Sequence, residues 1–300
     1  MPSCCIRETR CGLSRWGRTM FEFLEVITPG CGASWQDAGR PGWKRFGVPP
    51  GGWMDGEAAH AANRLLGTPE EAVVLELALQ GARFRVRQSG WLAASGASMG
   101  WAPGTTRRVE RGDVLDFTRH QSGVYAYLAA PGGWIAPEIL GSAAVSARSG
   151  LGRGLNPGDV LSCRDDPARD GWPAREESPA ATQYPSDLAL RVWPGPQWRE
   201  FSDEALTIFF AAGWKVSSRS DRMGIRLEGP FIAAPEAVMI SEPVRTGSVQ
   251  ITGGGQPVVT MRDGPTVGGY PKIAWLDEEA CRRVAQIPPG GTIKFLPPDE

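Results

Sequence analysis

The residues best suited to chemistry crowd into the last third of the chain. Met261-Arg-Asp-Gly-Pro-Thr-Val-Gly-Gly-Tyr-Pro-Lys-Ile-Ala-Trp275 sets an acid (Asp263), a glycine pair, a phenol (Tyr270) and a lysine (Lys272) between two apolar, strand-like runs. The glycines let the backbone approach a ligand or take positive φ, and Pro271 stiffens the next step. An aspartate and a lysine held beside such a turn can bind and polarise a carbonyl or a carboxylate. The plainer reading is a tight β-turn with solvated charges. Ahead of it, Ser218-Arg-Ser-Asp-Arg-Met-Gly224 places arginines and an aspartate before a strand. There Arg222 can grip a carboxylate or phosphate bidentately, or brace the loop by pairing with Asp221. Glu242 and Gln250 in Ser241–Gln250, and Gln256 after Gly253-Gly-Gly, add polar groups on consecutive loops. Hairpin loops at one end of a barrel converge. Ser220, Asp221, Arg222, Glu242, Gln250, Gln256, Asp263 and Lys272 are therefore expected to line one cleft.

Two other motifs carry less. Gly96-Ala-Ser-Met-Gly100 matches the G-x-S-x-G nucleophile elbow, but Pro103 and Gly104 oppose the helix that an elbow requires after its serine. Gly150-Leu-Gly-Arg-Gly154 lacks both the spacing and the lysine of a P-loop, so a structural turn is expected there.

The elements that must position these residues are mostly strands. Phe21–Ile27 reads as a strand, followed by turn-rich polar loops through Asp55. Asp55 is a natural N-cap for a helix over Glu57–Leu66, closed by Gly67. From Val73 to Leu161 strands and turns alternate, and Gly-Asp-Val-Leu occurs at 112–115 and at 158–161 as a turn entering a strand. Residues 164–186 change to Pro, Ala and charge without periodicity, which predicts a linker or surface excursion. Beyond it come strands near Leu188–Val192, Ile225–Leu227, Val238–Ile240, Val249–Ile251, Val258–Met261 and Ile293–Leu296. Ser202 caps one short helix, and Asp277 caps another that is acidic first and basic later. The expected organisation is an extension over 1–20, a first β-half over 21–163, the linker, and a second β-half over 187–300. The fold class is mainly β with a few short helices.

Composition excludes several classes. With 39 Gly, 26 Pro and a net charge of −1, the chain is a turn-rich globular protein with no electrostatic case for nucleic acid or an anionic membrane. No apolar run approaches a membrane span. Six scattered cysteines, no C-x-x-C pair and two histidines argue against a zinc site, and no metal is expected. Reduced thiols point to the cytoplasm. Residues 1–19 are basic and lack an apolar signal core, so Met20 is taken to open the folded part.

Read together, separated motifs stand in a familiar order: Gln36-Asp-x-Gly-Arg-Pro-Gly42, Gly47-Val-Pro-x-Gly-x-x-x-Asp55, Asn63, Glu76-x-x-x-x-Gly81, Ser220-Asp-Arg-Met-Gly-x-Arg-Leu-x-Gly229, Gln250, Gly255-Gln-Pro257 and Gly268-Gly-Tyr-Pro-Lys-Ile-Ala274. From about residue 21 onward the chain resembles the KipA, or allophanate hydrolase subunit 2, family, which includes the C subunit of 5-oxoprolinase. Gly264-Pro265 and Val267 depart from that family's usual run before the glycine pair.

The resemblance implies two cyclophilin-like β-barrel halves and two kinds of partner chain, the KipI-like B subunit and the A subunit of the same complex. It implies ATP-dependent hydrolysis of 5-oxo-L-proline to L-glutamate, with ATP held by no P-loop of this chain. A lactam is a poor electrophile, so the site needs cations for the developing charge and a carboxylate to orient water. Lys272 and Arg222 are the expected cations and Asp263 the orienting acid. Arg40, Asp55, Asn63, Glu76, Ser220, Asp221, Glu242, Gln250, Gln256 and Tyr270 are expected to bind substrate or pin its loops. Two alternatives stay open. One is biotin-dependent carboxyl transfer to an amide or urea-like substrate, and the other is non-catalytic binding of a KipI-like kinase inhibitor.

Overall fold

The structure is a computed structural model that describes residues 20–79, 81–169, 184–235 and 239–298. The N-terminal extension and most of the expected linker therefore lie outside the described residues. In chain order the first strands are β1 (Phe21–Pro29), β2 (Ala33–Gln36), β3 (Val74–Ala78), β4 (Ala82–Val86), β5 (Gly90–Met99), β6 (Thr105–Val109), β7 (Val114–Asp116), β8 (His120–Ala129), β9 (Trp134–Ile135) and β10 (Val160–Cys163). Helix α1 (Gly56–Leu65) lies between β2 and β3. Two five-stranded sheets result, ordered β7-β4-β1-β10-β9 and β2-β3-β8-β5-β6, all antiparallel pairs. Their facing sides bury Phe23, Leu24, Leu75, Leu77, Phe84, Leu92, Ala126, Leu128 and Trp134.

The remaining strands are β11 (Asp187–Arg191), β12 (Trp193–Pro194), β13 (Trp214–Val216), β14 (Gly224–Glu228), β15 (Glu242–Pro243), β16 (Ser248–Ile251), β17 (Pro257–Thr260), β18 (Val267–Gly268), β19 (Lys272–Trp275) and β20 (Thr292–Leu296). Helices α2 (Asp203–Ala211) and α3 (Glu278–Ala285) accompany them. Eight of these strands form one sheet, β11-β20-β13-β14-β17-β16-β19-β12. Its two edges are β11 and β12, and only Val192 separates them in the chain. The sheet must therefore curl until its edges meet, which makes it barrel-like and leaves little exposed edge.

Period-two alternation decides what touches what. On β8, Ala126 and Leu128 point into the first core, whereas Tyr125, Tyr127 and Ala129 point the other way. That second face does not meet water. It joins a core shared with α1 and with Leu188, Phe209, Trp214, Val249, Val259, Ile273 and Phe295 of the later strands and α2. Burial on both faces explains why β3 and β8 read as near-continuous apolar runs. Phe209 of α2 stacks on Phe295 with ring centroids 4.7 Å apart, which seats that helix on β20.

The helix caps are as expected. Asp55, Ser202 and Asp277 accept hydrogen bonds from the backbone N–H of Ala58, Ala205 and Ala280. The elbow set aside at Gly96–Gly100 is absent, and two other readings change. The G-x-S-x-G run lies inside β5, and the register slips between Gly96 and Ser98. Gly96 takes φ 84° there and a Cβ would come 2.5 Å from the Tyr125 carbonyl, so the position requires glycine. It marks a β-bulge. No strand forms at Met239 and Ile240, where Ile240 is exposed, and Val238 lies outside the described residues. Lys272 is no turn residue but opens β19, with Gly195 pressed so closely on its carbonyl that no side chain fits.

Candidate functional site

The expected single cleft divides into two clusters. The first lies where the two sets of strands meet. Arg222, just before β14, sends its guanidinium across to the first set. Nε and Nη2 donate to Asp263 at 2.9 and 3.1 Å, Nη1 donates to Glu76, and Nη2 also reaches the Gly52 carbonyl at 2.7 Å and Gln36 at 3.3 Å. Glu76, on β3, is itself fixed by the Met54 N–H at 3.0 Å and the Tyr127 hydroxyl at 2.8 Å. Burial alone would lower the guanidinium's hold on its proton, but the carboxylates of Glu76 and then Asp263 outweigh it and raise the Arg222 pKa above its ordinary value. Arg222 is thus a charge fully matched by two acids, one from each set of strands.

Arg40 sits close behind, buried, donating to the carbonyls of Ile139 and Ala144. Its pKa is lowered by burial, against the pull of Asp37 and Asp263. Ser220 and Asp221 lie on the same loop as Arg222. Ser220 closes a turn with Arg226, and Asp221 holds the Met223 N–H at 2.9 Å and pairs with Arg148 at 3.0 Å. Ser220, Asp221, Arg222 and Asp263 edge a cavity of about 350 Å³ between the two sets of strands, with Leu79, Val124, Tyr125, Val216, Ile225 and Ile287 on its walls.

The second cluster centres on Lys272. Its ammonium is buried at 2% exposure and donates to Glu242 at 2.7 Å and to the Tyr270 carbonyl at 3.4 Å. Gln197 grips both partners, accepting from the Lys272 N–H and donating to Glu242, each at 3.0 Å. The hydrogen bond from Lys272 holds the Glu242 carboxyl below the usual carboxylate range, burial opposing and Gln197 assisting. Gln250, opposite Lys272 on β16, donates to Thr260 at 2.7 Å, and Tyr270 is exposed at the rim. No direct contact joins Lys272 to Asp263 or Arg222 among the described residues.

The other expected residues serve the scaffold. Asp55 caps α1 and accepts from Tyr184 at 2.8 Å and Gln286 at 2.9 Å. Asn63 pins the turn after α1 through the carbonyls of Glu70 and Ala72, both at 2.9 Å. Gln256 clasps Gly229 at the β16–β17 hairpin and makes no hydrogen bond to either cluster's charges among the described residues. Gln197 and Tyr125 escaped the sequence reading. Gln197 follows Pro194-Gly-Pro, a turn signal that hides a long-range role, and Tyr125 looks like one more apolar strand residue.

The chain's likenesses are consistent. The carboxyltransferase domain, subdomains A and B, matches residues 46–297. The C subunit of the 5-oxoprolinase of Escherichia coli is 32% identical over 286 residues, covering 91% of this chain and 90% of that protein. The urea amidolyase of Lachancea kluyveri is 32% identical over 91% of this chain but only 17% of its own length. The solved structure of TTHA0988 superposes with a TM-score of 0.82 at 32% identity, over 92% of this chain, which spans about half (55%) of that longer one.

Proposed function

Because this chain belongs to the carboxyltransferase-domain family, subdomains A and B, we propose that it is the C subunit of a cytoplasmic, ATP-dependent 5-oxoprolinase. In this reading it works with the KipI-like B subunit and the A subunit to open 5-oxo-L-proline to L-glutamate, and has little activity alone. The observation that carries it is the 32% identity to the C subunit of a 5-oxoprolinase across about nine-tenths of both chains.

The Gly150–Gly154 run offers no cradle for a nucleotide. The Gly150–Gly154 run closes a short helical turn, and Arg153 is held by both oxygens of Asp159 at 2.7 and 2.9 Å. In this reading the complex uses ATP without a P-loop from this chain. What this chain supplies is the Lys272 cluster. An ammonium has three N–H groups, and Glu242 and Tyr270 engage two of them. In this reading the third is the one a lactam oxygen would meet as negative charge develops there, since a contact to a buried ammonium is strong. Glu242, ionised at neutral pH and half-exposed, is placed to orient water and accept its proton. Asp263 was expected as the orienting acid, but it pairs with Arg222 and does not touch Lys272, so the role is moved here to Glu242. Arg222 and Asp263 then act as the brace that sets the two sets of strands.

The test is co-expression with the A and B subunits, followed by assay of glutamate released from 5-oxoproline. Absence of ATP-dependent release with all three chains present sinks the assignment. The likeness to urea amidolyase favours a second reading, carboxyl transfer. The third N–H of Lys272 also suits a ureido oxygen, and bound biotin would supply the carboxyl group. Release of glutamate without any biotinyl carrier separates the two.

A further inference from the structure

One face next to the Lys272 cluster carries groups that the proposed chemistry does not use. Lys44 and Arg45 stand in a short helical turn over Lys44–Phe46, and Arg245 lies three residues beyond Glu242. None of the three forms an ion pair with a carboxylate among the described residues. They are tied to one another and to aromatic rings instead. The Lys44 ammonium donates to the Val244 carbonyl at 2.8 Å, which sets it beside Arg245. Arg245 lies 3.8 Å over the ring of Trp275, and Trp275 stacks on Trp193 with ring centroids 5.7 Å apart. At the other end the Arg45 guanidinium lies 4.8 Å from the Phe46 ring, and Trp43 leans on the same ring at 5.7 Å. One line of contacts therefore runs from Phe46 through Lys44 and Arg245 to Trp193.

Two properties set this face apart from an ordinary solvated surface. Its end rings are open to solvent, Phe46 at 62% and Trp193 at 48%. Its cations also oppose one another: burial first, and then the Arg245 charge, lower the Lys44 pKa below its ordinary value. Aromatic rings and arginines are what the centres of protein interfaces are enriched in. The charges then restrict the partner. A second copy of this chain does not suit, because a two-fold contact lays three unpaired cations against the same three. A polyanion such as nucleic acid does not suit a chain of net charge −1 whose patch holds only three cations. A protein surface with carboxylates set among apolar side chains satisfies both the rings and the charges.

We propose that this face docks an acidic patch of the B subunit, with Trp193 and Phe46 as apolar anchors and Arg45 and Arg245 as charge contacts. The proposal rests on the reading of the chain as one subunit of a 5-oxoprolinase. Trp193 pairs with Trp275 on β19, the strand that Lys272 opens, and Glu242 keeps 35% of its side chain exposed. A partner seated here borders the acid that the hydrolysis would use, which accounts for little activity in the chain alone.

The test measures binding of the separately purified B subunit to the full-length chain by calorimetry, at about 50 mM and about 500 mM NaCl. The parent is expected to bind, and to bind more weakly in the stronger salt. Trp193→Ala, and the reversal Arg45→Glu with Arg245→Glu, are each expected to weaken binding by roughly 10- to 100-fold. The reversal should also remove most of the salt dependence. All three side chains are exposed, so melting should stay close to the parent's. Arg85→Glu with Arg111→Glu makes the same change of charge at exposed positions elsewhere and should bind like the parent. The proposal is overturned if the parent does not bind the B subunit, or if either variant binds within about 3-fold of the parent. Equal weakening by the control reversal, or capture of only the A subunit or a second copy of the chain, overturns it as well. Glutamate release by the parent three-chain complex is measured separately. Release, with the variants still binding, sinks the docking face alone; no release sinks the reading of the chain.

Discussion

Replacing Arg222 by methionine tests the brace between the two sets of strands. The substitution keeps much of the side-chain volume but leaves Glu76, 1% exposed, and Asp263, 7% exposed, without their shared counter-charge. It also frees the Gly52 carbonyl and the Gln36 side chain. Removing one partner of a buried ion pair costs about 3–5 kcal/mol. That is a large share of the roughly 5–15 kcal/mol that holds an ordinary domain folded. At about 2–4 °C per kcal/mol for a chain of this size, the melting temperature should fall by roughly 6–20 °C. Calorimetry or fluorimetric melting measures it directly, with urea titration as a second route. The triple variant Arg222→Met, Glu76→Gln, Asp263→Asn is the control. It removes the stranded charges, so it should recover a good part of the loss even though it lacks every ion pair in the cluster. A drop under about 2 °C for the single variant, worth less than ~1 kcal/mol, would refute the view that this contact is desolvated and couples the two sets of strands.

Three further outcomes are expected. Lys272→Ala should cut turnover of the assembled complex by roughly 10²- to 10³-fold, as loss of a buried oxyanion donor does, while co-purification with the partner chains persists; loss of assembly would instead make Lys272 a structural residue. Because Lys272 holds the Glu242 carboxyl down, that acid's stabilising contribution is complete above its unfolded pKa of about 4.3 and disappears as pH falls through its lower folded value. The stability gap between the parent and Glu242→Gln, followed by urea melts, should therefore be flat from pH 7 to 5 and narrow below 4, and a gap that widens on acidification contradicts the geometry. Asp55→Ala removes the α1 cap and orphans Tyr184 and Gln286, for a loss of about 2–4 kcal/mol by urea titration. A loss below about 0.5 kcal/mol would show the cap to be idle.

What the sequence determined by itself was everything governed by near neighbours. Alternation along Ala82–Val86 and Asp187–Arg191 marks strands because each residue's exposure depends only on the pleat. Asp55, Ser202 and Asp277 mark helix starts because a cap acts on an N–H three residues away. The many separated motifs also sufficed for the family, because their order survives without knowledge of contacts. Chemistry-bearing residues were legible as types: Lys272, Glu242, Arg222, Asp263 and Glu76 all proved buried or paired.

Their grouping was decided only in three dimensions. Arg222 stands 41 positions from Asp263 and 146 from Glu76, and Gln197 stands 75 from Lys272, so no local spacing records those meetings. The cleft expected to hold Asp263 and Lys272 together divided because each charge found a different partner, Asp263 the guanidinium of Arg222 and Lys272 the carboxylate of Glu242. Arg222, read as a cation for substrate, is spent on two protein acids, since burial makes an unmatched guanidinium too costly. Tyr125 became visible as a cavity wall only once β8 was found buried on both faces, beside a cavity lined from both sets of strands.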